Sequence, residues 1–216
     1  AGVYIPTKDN DRTKSFVLKE GVKVYGGFIG NESNREQRDW ETNATLLSGE
    51  IGDEVISDNC FNVIYAKNVS METVLDGFTI TGGNANGGAL PHGDGGGMYN
   101  WGGSPTVTNC SSSGNDAANG GGMFNDLGSS PTVTNCSFSG NTASFGGGMI
   151  NNANSSPTVT NCILWGNSSG ISNVIGSTPT VTYSIVQGGY GAPGDNNLNV
   201  DPLFEDAATG NLRLQQ

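Results

Sequence analysis

Short runs of alternating hydrophobic and polar residues follow one another along most of the chain, and the same runs return at a fixed spacing. Ser-Pro-Thr-Val-Thr-Asn-Cys occupies residues 104–110, 130–136 and 156–162, and the related Thr-Pro-Thr-Val-Thr-Tyr-Ser occupies 178–184. The first three copies begin 26 residues apart and the fourth follows after 22. A period of this length is typical of a solenoid, in which each repeat stacks on the next.

Each repeat holds three β-prone runs, separated by Gly, Asn and Ser. A Gly-Gly-Gly-Met run precedes the Pro-Thr-Val-Thr run, and a run ending in Gly-Asn follows it, at 110–115, 136–141 and 162–167. Runs this short do not form independent layers, and the segments between them lack a helical period. We therefore predict an all-β chain, a right-handed single-stranded parallel β-helix with three sheets and about 26 residues per coil.

Side-chain alternation assigns columns of equivalent residues to the inside and the outside of the coils. The threonines beside each valine are expected to point outward. An asparagine follows at each bend, where it tolerates a left-handed backbone and stacked amides can form a ladder. The predicted inward columns are Val107, Val133, Val159 and Val181, and Cys110, Cys136 and Cys162; the predicted amide ladder is Asn109, Asn135 and Asn161.

Two features of these columns remain open at the level of sequence. The chain has four cysteines, and neighbouring coils would bring three of them within disulfide range. Parallel, in-register side chains do not favour the disulfide dihedral angle, so free core thiols are the preferred interpretation. In the glycine-rich runs, either the methionines (Met98, Met123 and Met149) or their neighbours (Tyr99, Phe124 and Ile150) face the core.

The repeats predict a single β-helix domain over residues 1–216. Residues 1–74 form irregular coils with an inserted loop at 31–44, residues 75–198 form regular coils, and residues 199–216 form a last coil or tail. Both termini are strand-like, so we expect the ends to be cut within a longer solenoid.

Charge is unevenly distributed, with a formal net charge of -11 and no Lys or Arg from Asn68 to Leu212. An acidic surface of this kind argues against binding to nucleic acid and to anionic membranes. No apolar run is long enough to cross a bilayer, so membrane insertion is not expected.

Several segments resemble a known family. The runs at 21–52, 75–88, 162–167, 183–190 and 199–204 are similar to bacterial secreted β-helix proteins with a choice-of-anchor sorting domain. The alternation of Gly-Gly-Gly-Met with Phe-Ser-Gly-Asn also resembles the repeats of chlamydial polymorphic membrane proteins. The resemblance implies a β-helix fold and an extracellular or cell-surface location, and it implies little about biochemistry.

Three carboxylates are the candidates for chemistry. Asp94, Asp116 and Asp126 lie in loops beside the glycine-rich runs, and a glycosidase needs two carboxylates facing one bond. Asp94 and Asp116 are expected in equivalent loops of adjacent coils. The alternative interpretation is that all three are solvated loop residues, and His92, the single histidine, lacks the partners of a triad.

Other ligands are weaker alternatives. Calcium is the one cofactor suggested, because Asp/Asn-rich loops offer hard oxygen ligands at Asp9, Asp11, Asp94, Asp195 and Asp201. Outward aromatic residues could stack on sugars, with Tyr99, Trp101, Phe124 and Trp165 as candidates. The outward threonine array resembles that of solenoid antifreeze proteins, although threonine is common on exposed strands.

The preferred function is a non-catalytic extracellular surface module. It would act as a structural or adhesive stalk, with other copies of itself or flanking coils as end-to-end partners in a filament. The alternative is a carbohydrate-binding or carbohydrate-active β-helix whose partner is a surface polysaccharide.

Overall fold

A computed structural model describes residues 1–40, 42–53, 55–88, 90–191, 195–206 and 211–215. Short strands dominate, and two 3-10 helices, Arg35–Gln37 and Ile56–Asp58, lie in the first third of the chain. Neither is long enough to cross a membrane.

Most strands belong to three long parallel sheets, named here A, B and C. Sheet A contains β1 (Gly2–Tyr4), β4 (Thr45–Ser48), β7 (Thr79–Thr81), β11 (Ser111–Ser113), β15 (Ser137–Ser139), β19 (Ile163–Leu164) and β22 (Ile185–Val186). Sheet B contains β2 (Phe16–Leu18), β5 (Ile64–Lys67), β9 (Met98–Trp101), β13 (Met123–Asp126), β17 (Met149–Asn151) and β20 (Ile171–Asn173). Sheet C contains β3 (Lys23–Tyr25), β6 (Val74–Asp76), β10 (Thr106–Thr108), β14 (Thr132–Thr134), β18 (Thr158–Thr160) and β21 (Thr180–Thr182).

The repeats pair with their own copies, one coil above the next. Val107 lies opposite Val133 in a parallel pair, and Val159 lies opposite Val181 in the same sheet. The predicted all-β parallel coil with three long sheets is therefore confirmed. All four valines are buried, and the flanking threonines are half-buried or exposed on the outer face.

The bend between sheets C and A has a left-handed backbone. Asn109, Asn135 and Asn161 have φ values of 50°, 54° and 54°, and Tyr183 takes the same conformation in the next coil. The Nδ2 of Asn161 donates to the Oδ1 of Asn135 at 2.7 Å, and the Nδ2 of Asn135 donates to the Oδ1 of Asn109 at 3.2 Å. These three amides form one ladder at the outer corner, and Tyr183 ends it.

Two parts of the fold lie outside the three predicted sheets. A fourth, three-stranded parallel sheet, here sheet D, consists of β8 (Asn84–Ala85), β12 (Asp116–Asn119) and β16 (Thr142–Phe145). The tail, for which a last coil or a tail was the expectation, forms an antiparallel hairpin of β23 (Phe204–Asp206) and β24 (Asn211–Leu214). Neither segment carries the repeated apolar columns on which the prediction relied.

The core consists of stacked apolar side chains and includes all three repeat cysteines. Met98, Met123 and Met149 are buried within it, so the methionines face inward and their neighbours face outward. Cys60, Cys110, Cys136 and Cys162 are free buried thiols. The column of Cys110, Cys136 and Cys162 is continued by Phe78, which lies before Cys110, and by Ser184, which is also buried.

A second amide ladder runs through the interior of sheet B. Asn100 donates to Asn125 at 2.7 Å, Asn125 to Asn151 at 2.8 Å, and Asn151 to Asn173 at 2.8 Å. The first three side chains have no exposed surface. A buried amide needs hydrogen-bond partners, and Asn125 and Asn151 each find them in the two adjacent coils.

Candidate functional site

The three candidate aspartates occupy different positions in their coils. Asp94 forms a parallel bridge with Asn119, whereas Asp116 pairs with Asn84 and Thr142 within sheet D. The expectation that Asp94 and Asp116 are equivalent is therefore wrong. The coil that contains Asp94 has an irregular turn in place of a full sheet D strand, which changes the alignment of its residues.

The Asp126 carboxylate is buried and hydrogen-bonded within the coils. Its Oδ2 accepts from the hydroxyl of Tyr99 at 3.3 Å, and its Oδ1 accepts from the backbone NH of Leu127 and from the Nδ2 of Asn152. Tyr99 has no exposed surface, and burial raises its pKa well above the ordinary value. The Tyr99 hydroxyl therefore stays protonated and acts as a donor to Asp126.

The Asp94 carboxylate is buried as well, with 7% of the residue exposed. Burial raises its pKa, the hydrogen bond from Asn119 Nδ2 at 2.7 Å lowers it, and the negative charge of Asp126 raises it again. The charges of Asp94 and Asp126 therefore interact, and each carboxylate has neutral hydrogen-bond partners in an adjacent coil. Asp116 lies at the start of β12 and is half-buried.

The outward aromatic column on sheet B is covered. Tyr99, Phe124 and Ile150 form a buried cluster with the half-buried Tyr65 and Trp101. Glycine turns lie against this column, so that a Cβ on Gly120 would be only 2.9 Å from the Cβ of Phe124. Tyr99 and Phe124 therefore cannot serve as the sugar platform suggested by the sequence. Trp101 and Trp165 are half-buried.

The five predicted calcium ligands are not assembled into one site. Asp9 accepts from the backbone NH of Asp11, and Asp11 pairs with Lys14 at 3.3 Å. Asp201 accepts from the backbone NH of Leu203, and the carbonyl of Asp195 accepts from the NH of Tyr183. Within the described ranges, no three His, Cys, Asp or Glu side chains are grouped so that they could hold a metal ion.

His92 packs against the aromatic ring of Phe61, with ring centroids 4.6 Å apart. The guanidinium of Arg12 also lies over the ring of Phe61, 4.2 Å from its centroid. Arg12 also donates to the backbone oxygens of Asn59 and Asn84. His92 therefore belongs to a stack that joins the first coils together.

A buried ion pair lies where the inserted loop meets sheet C. Arg38 Nη2 is 2.6 Å from Asp76 Oδ2, and the guanidinium lies 5.3 Å from the ring centroid of Tyr25 and 4.8 Å from that of Trp40. The Oδ1 of Asp76 accepts from the Nδ2 of Asn109 at 2.9 Å. The outer amide ladder thus ends on a charged pair that also fixes the exposed indole of Trp40.

The model of the right handed beta helix region matches residues 20–190. This chain belongs to the right-handed β-helix family. The match includes the Arg38–Asp76 pair, both amide ladders and the three candidate aspartates, and it confirms the predicted handedness. No curated protein and no solved structure matches the chain.

Sequence reasoning overlooked much of the polar interior of this β-helix. Asn100, Asn125 and Asn151 each stand two residues after the repeated methionine, and this repetition was the available signal. A third ladder joins Asn115, Asn141 and Asn167 at 3.0 and 2.9 Å, and its members stand 26 residues apart. Arg38, Asp76 and Trp40 belong to no repeat, so nothing in the sequence pattern linked them.

Proposed function

We propose that the chain is a non-catalytic module of an extracellular surface structure, a stiff acidic spacer that joins further coils end to end. The observation that carries this proposal is the interior amide ladder from Asn100 to Asn173, which spans four successive coils. The resemblance to exported surface proteins supports the proposed location.

Stiffness follows from hydrogen bonds that side chains make along the axis of the coils. Backbone bonds already join each strand to the next, and the buried amides add a second set in the same direction. Separating two coils would therefore leave buried amide groups without partners, which is costly in a low-dielectric interior. Such a rod resists bending and extension more than a chain held by surface contacts alone.

The environment of the candidate aspartates supports a structural role over a catalytic one. Asp126 has three hydrogen-bond donors from its own and neighbouring coils, and Asp94 has the amide of Asn119. A glycosidase requires one carboxylate free to attack or to activate water and another free to donate a proton. Carboxylates committed to coil-to-coil hydrogen bonds serve packing instead.

The two ends of the coil stack present strand edges and apolar side chains. Within the described residues, the first-coil strands β1, β2 and β3 each pair with one neighbour, as do β20 and β21 at the other end. Val3 and Val17 are exposed at the first end, and Ile175 and Tyr183 at the second. Open edges of this kind template further strand pairing.

The same two ends differ in charge. Residues 1–25 contain five Lys or Arg and three Asp or Glu, whereas residues 171–206 contain four Asp or Glu and no Lys or Arg. Opposite charges favour head-to-tail contact and orient it, and salt weakens this effect. Head-to-tail contact repeats without closure, so it produces a filament.

Sedimentation velocity and electron microscopy test the assembly. We expect rods that lengthen with protein concentration at low ionic strength and shorten at high ionic strength. Reversing charge at the first end with Lys19→Glu and Lys23→Glu should reduce rod length, and Lys67→Glu, on the second strand from that end, should reduce it less. Monomers under all these conditions would overturn the end-to-end part of the proposal.

A polysaccharide panel tests the absence of catalysis. We expect no release of new reducing ends from neutral or uronate polymers. If the chain cleaved a polymer and the double variant Asp94→Asn, Asp116→Asn abolished that cleavage, the spacer proposal would be wrong and the carbohydrate-active alternative would replace it.

A further inference from the structure

A cavity of about 850 Å³ lies between the β23–β24 hairpin and the outer corner of the coils. One wall contains Trp40, the ladder residues Asn109 and Asn135, and the sheet A residues Ser111 and Ser137. The hairpin supplies Glu205, Asn211 and Arg213 on the other wall. We call this cavity the hairpin groove, and its volume is in the range of small-molecule sites.

We propose that the hairpin groove binds a neutral oligosaccharide chain. The proposal goes beyond a spacer function, because it gives the rod a specific ligand along one side. It rests on three properties of the groove: a fixed aromatic ring, a row of repeated polar groups, and charges of opposite sign that leave the groove without a net preference for anions or cations.

The aromatic ring is Trp40, of which 39% is exposed. Arg38 lies 4.8 Å from the ring centroid and is itself anchored by the buried ion pair with Asp76. The indole is therefore held in place before any ligand arrives, which lowers the entropic cost of binding. A fixed, partly exposed indole offers an apolar face on which the C–H face of a sugar ring can stack.

The row of polar groups comes from the stacking of equivalent residues. Ser111 lies opposite Ser137 in sheet A, and Asn109 and Asn135 occupy successive steps of the outer ladder. These steps are about 4.8 Å apart, because that is the spacing of paired strands. A polymer of similar units can thus repeat the same contacts with the ladder amides from one coil to the next.

The outer ladder leaves hydrogen-bonding capacity for a ligand. An amide carries two N–H donors and two acceptor lone pairs. Asn135 gives one donor to Asn109 and accepts once from Asn161, so one N–H and one lone pair stay available on an exposed side chain. Adjacent donor and acceptor groups match the hydroxyls of a sugar, each of which both donates and accepts.

The charge of the groove favours a neutral ligand. Glu205 and Arg213, which line it, carry opposite charges, and the Arg38 charge is already paired with Asp76. The acidic chain as a whole would repel a polyanion, so a uronate polymer or a nucleic acid is disfavoured. The polar lining equally disfavours a lipid.

Calorimetry of the full chain with defined oligosaccharides tests the proposal. The probes are cello-, manno-, xylo- and β-1,3-gluco-hexasaccharides. An oligogalacturonate and an acidic peptide are titrated in the same way, as the alternative ligands. We expect at least one neutral hexasaccharide to bind, and we expect Trp40→Ala to weaken that binding about tenfold. Tryptophan fluorescence should change on binding in the native chain and in Trp101→Phe, and stay constant in Trp40→Phe.

A matched pair of ladder variants separates binding from folding. Asn135→Gly and Asn161→Gly each remove one ladder amide at a left-handed position that glycine accepts, and Asn135 alone of the two lines the groove. We expect similar thermal unfolding for both and weakened binding for Asn135→Gly alone. The proposal is overturned if no neutral oligosaccharide binds, if Trp40→Ala binds as well as the native chain, or if only the oligogalacturonate or the peptide binds. The spacer proposal is judged separately, by rod assembly.

Discussion

The Nδ2 of Asn125 donates to the Oδ1 of Asn151 at 2.8 Å, and neither side chain has any exposed surface. Two polar amides therefore contact each other in the buried interior beside the apolar core. Because each amide is also bonded to the next coil, the ladder is satisfied only when every step is present.

Asn125→Ala tests how much this ladder contributes to stability. The substitution leaves the Nδ2 of Asn100 and the Oδ1 of Asn151 without their partners, each at about 1–3 kcal/mol. We expect the free energy of unfolding in urea to fall by about 2–6 kcal/mol. Asn161→Gly removes an exposed ladder amide and should cost less than about 1.5 kcal/mol. Equal losses in the two variants would contradict the importance of burial.

The glycines before the methionines allow close contact between coils. A Cβ on Gly122 would lie 2.6 Å from the carbonyl oxygen of Gly148, whereas a Cβ on Gly88 would meet no heavy atom within 4 Å. We therefore expect Gly122→Ala to lower the urea midpoint, at a cost of about 1–3 kcal/mol. Gly88→Ala should change stability by less than about 0.5 kcal/mol. An unchanged midpoint for Gly122→Ala would mean that the coils separate easily.

The buried thiols should be unreactive in the native protein. Burial raises the pKa of Cys60 to about 12 and raises that of Cys136 well above its ordinary value. The hydrogen bond with Cys136 lowers the pKa of Cys162, but that thiol is buried and closed to reagents. Because the thiolate is the reactive form, a chromogenic disulfide reagent at pH 8 should label the native chain very slowly. All four thiols should react at once in denaturant. Fewer than four under these conditions would reveal a disulfide.

The Asp94 carboxylate should make stability depend on pH. Its pKa is raised above 3.8 by burial, so the folded chain binds this proton more tightly than the unfolded chain does. The contribution of Asp94 to the free energy of unfolding therefore falls as pH rises from below 3.8 through its raised pKa. Asp94→Asn removes the charge and keeps an oxygen that can accept from Asn119.

Melting temperatures measured against pH provide the check. We expect Asp94→Asn to be more stable than the native chain at pH 7, with a difference that shrinks as the pH falls below 3.8. Asp116→Asn, at a half-buried position, is the matched control. A destabilised Asp94→Asn at neutral pH would show that the charged form is needed in the fold.

Repetition made much of the fold predictable. Val107 and Val133 occupy the same place in a 26-residue repeat, so any regular stacking must put them opposite each other. The same argument placed Asn109 and Asn135 at one corner. It did not decide whether Met123 or Phe124 faced the core, because both stand in the repeat and alternation allows either.

Contacts outside the repeats could not be predicted in this way. Regular spacing predicts that Asp94 aligns with Asp116. The coil that contains Asp94 departs from that spacing, so Asp94 lies opposite Asn119. The hairpin groove joins Trp40 to Arg213, which are far apart in sequence and share no periodic pattern.

The sequence by itself determined that the chain coils into stacked parallel strands with valines and thiols inside, because residues at equal spacing in a repeat become neighbours. Only the tertiary structure decided which polar groups the interior accepts, how the aromatic column is covered, and where the inserted loop and the hairpin form a groove. Those outcomes depend on packing between segments that do not repeat, and the period of a sequence repeat does not determine the free energy of such packing.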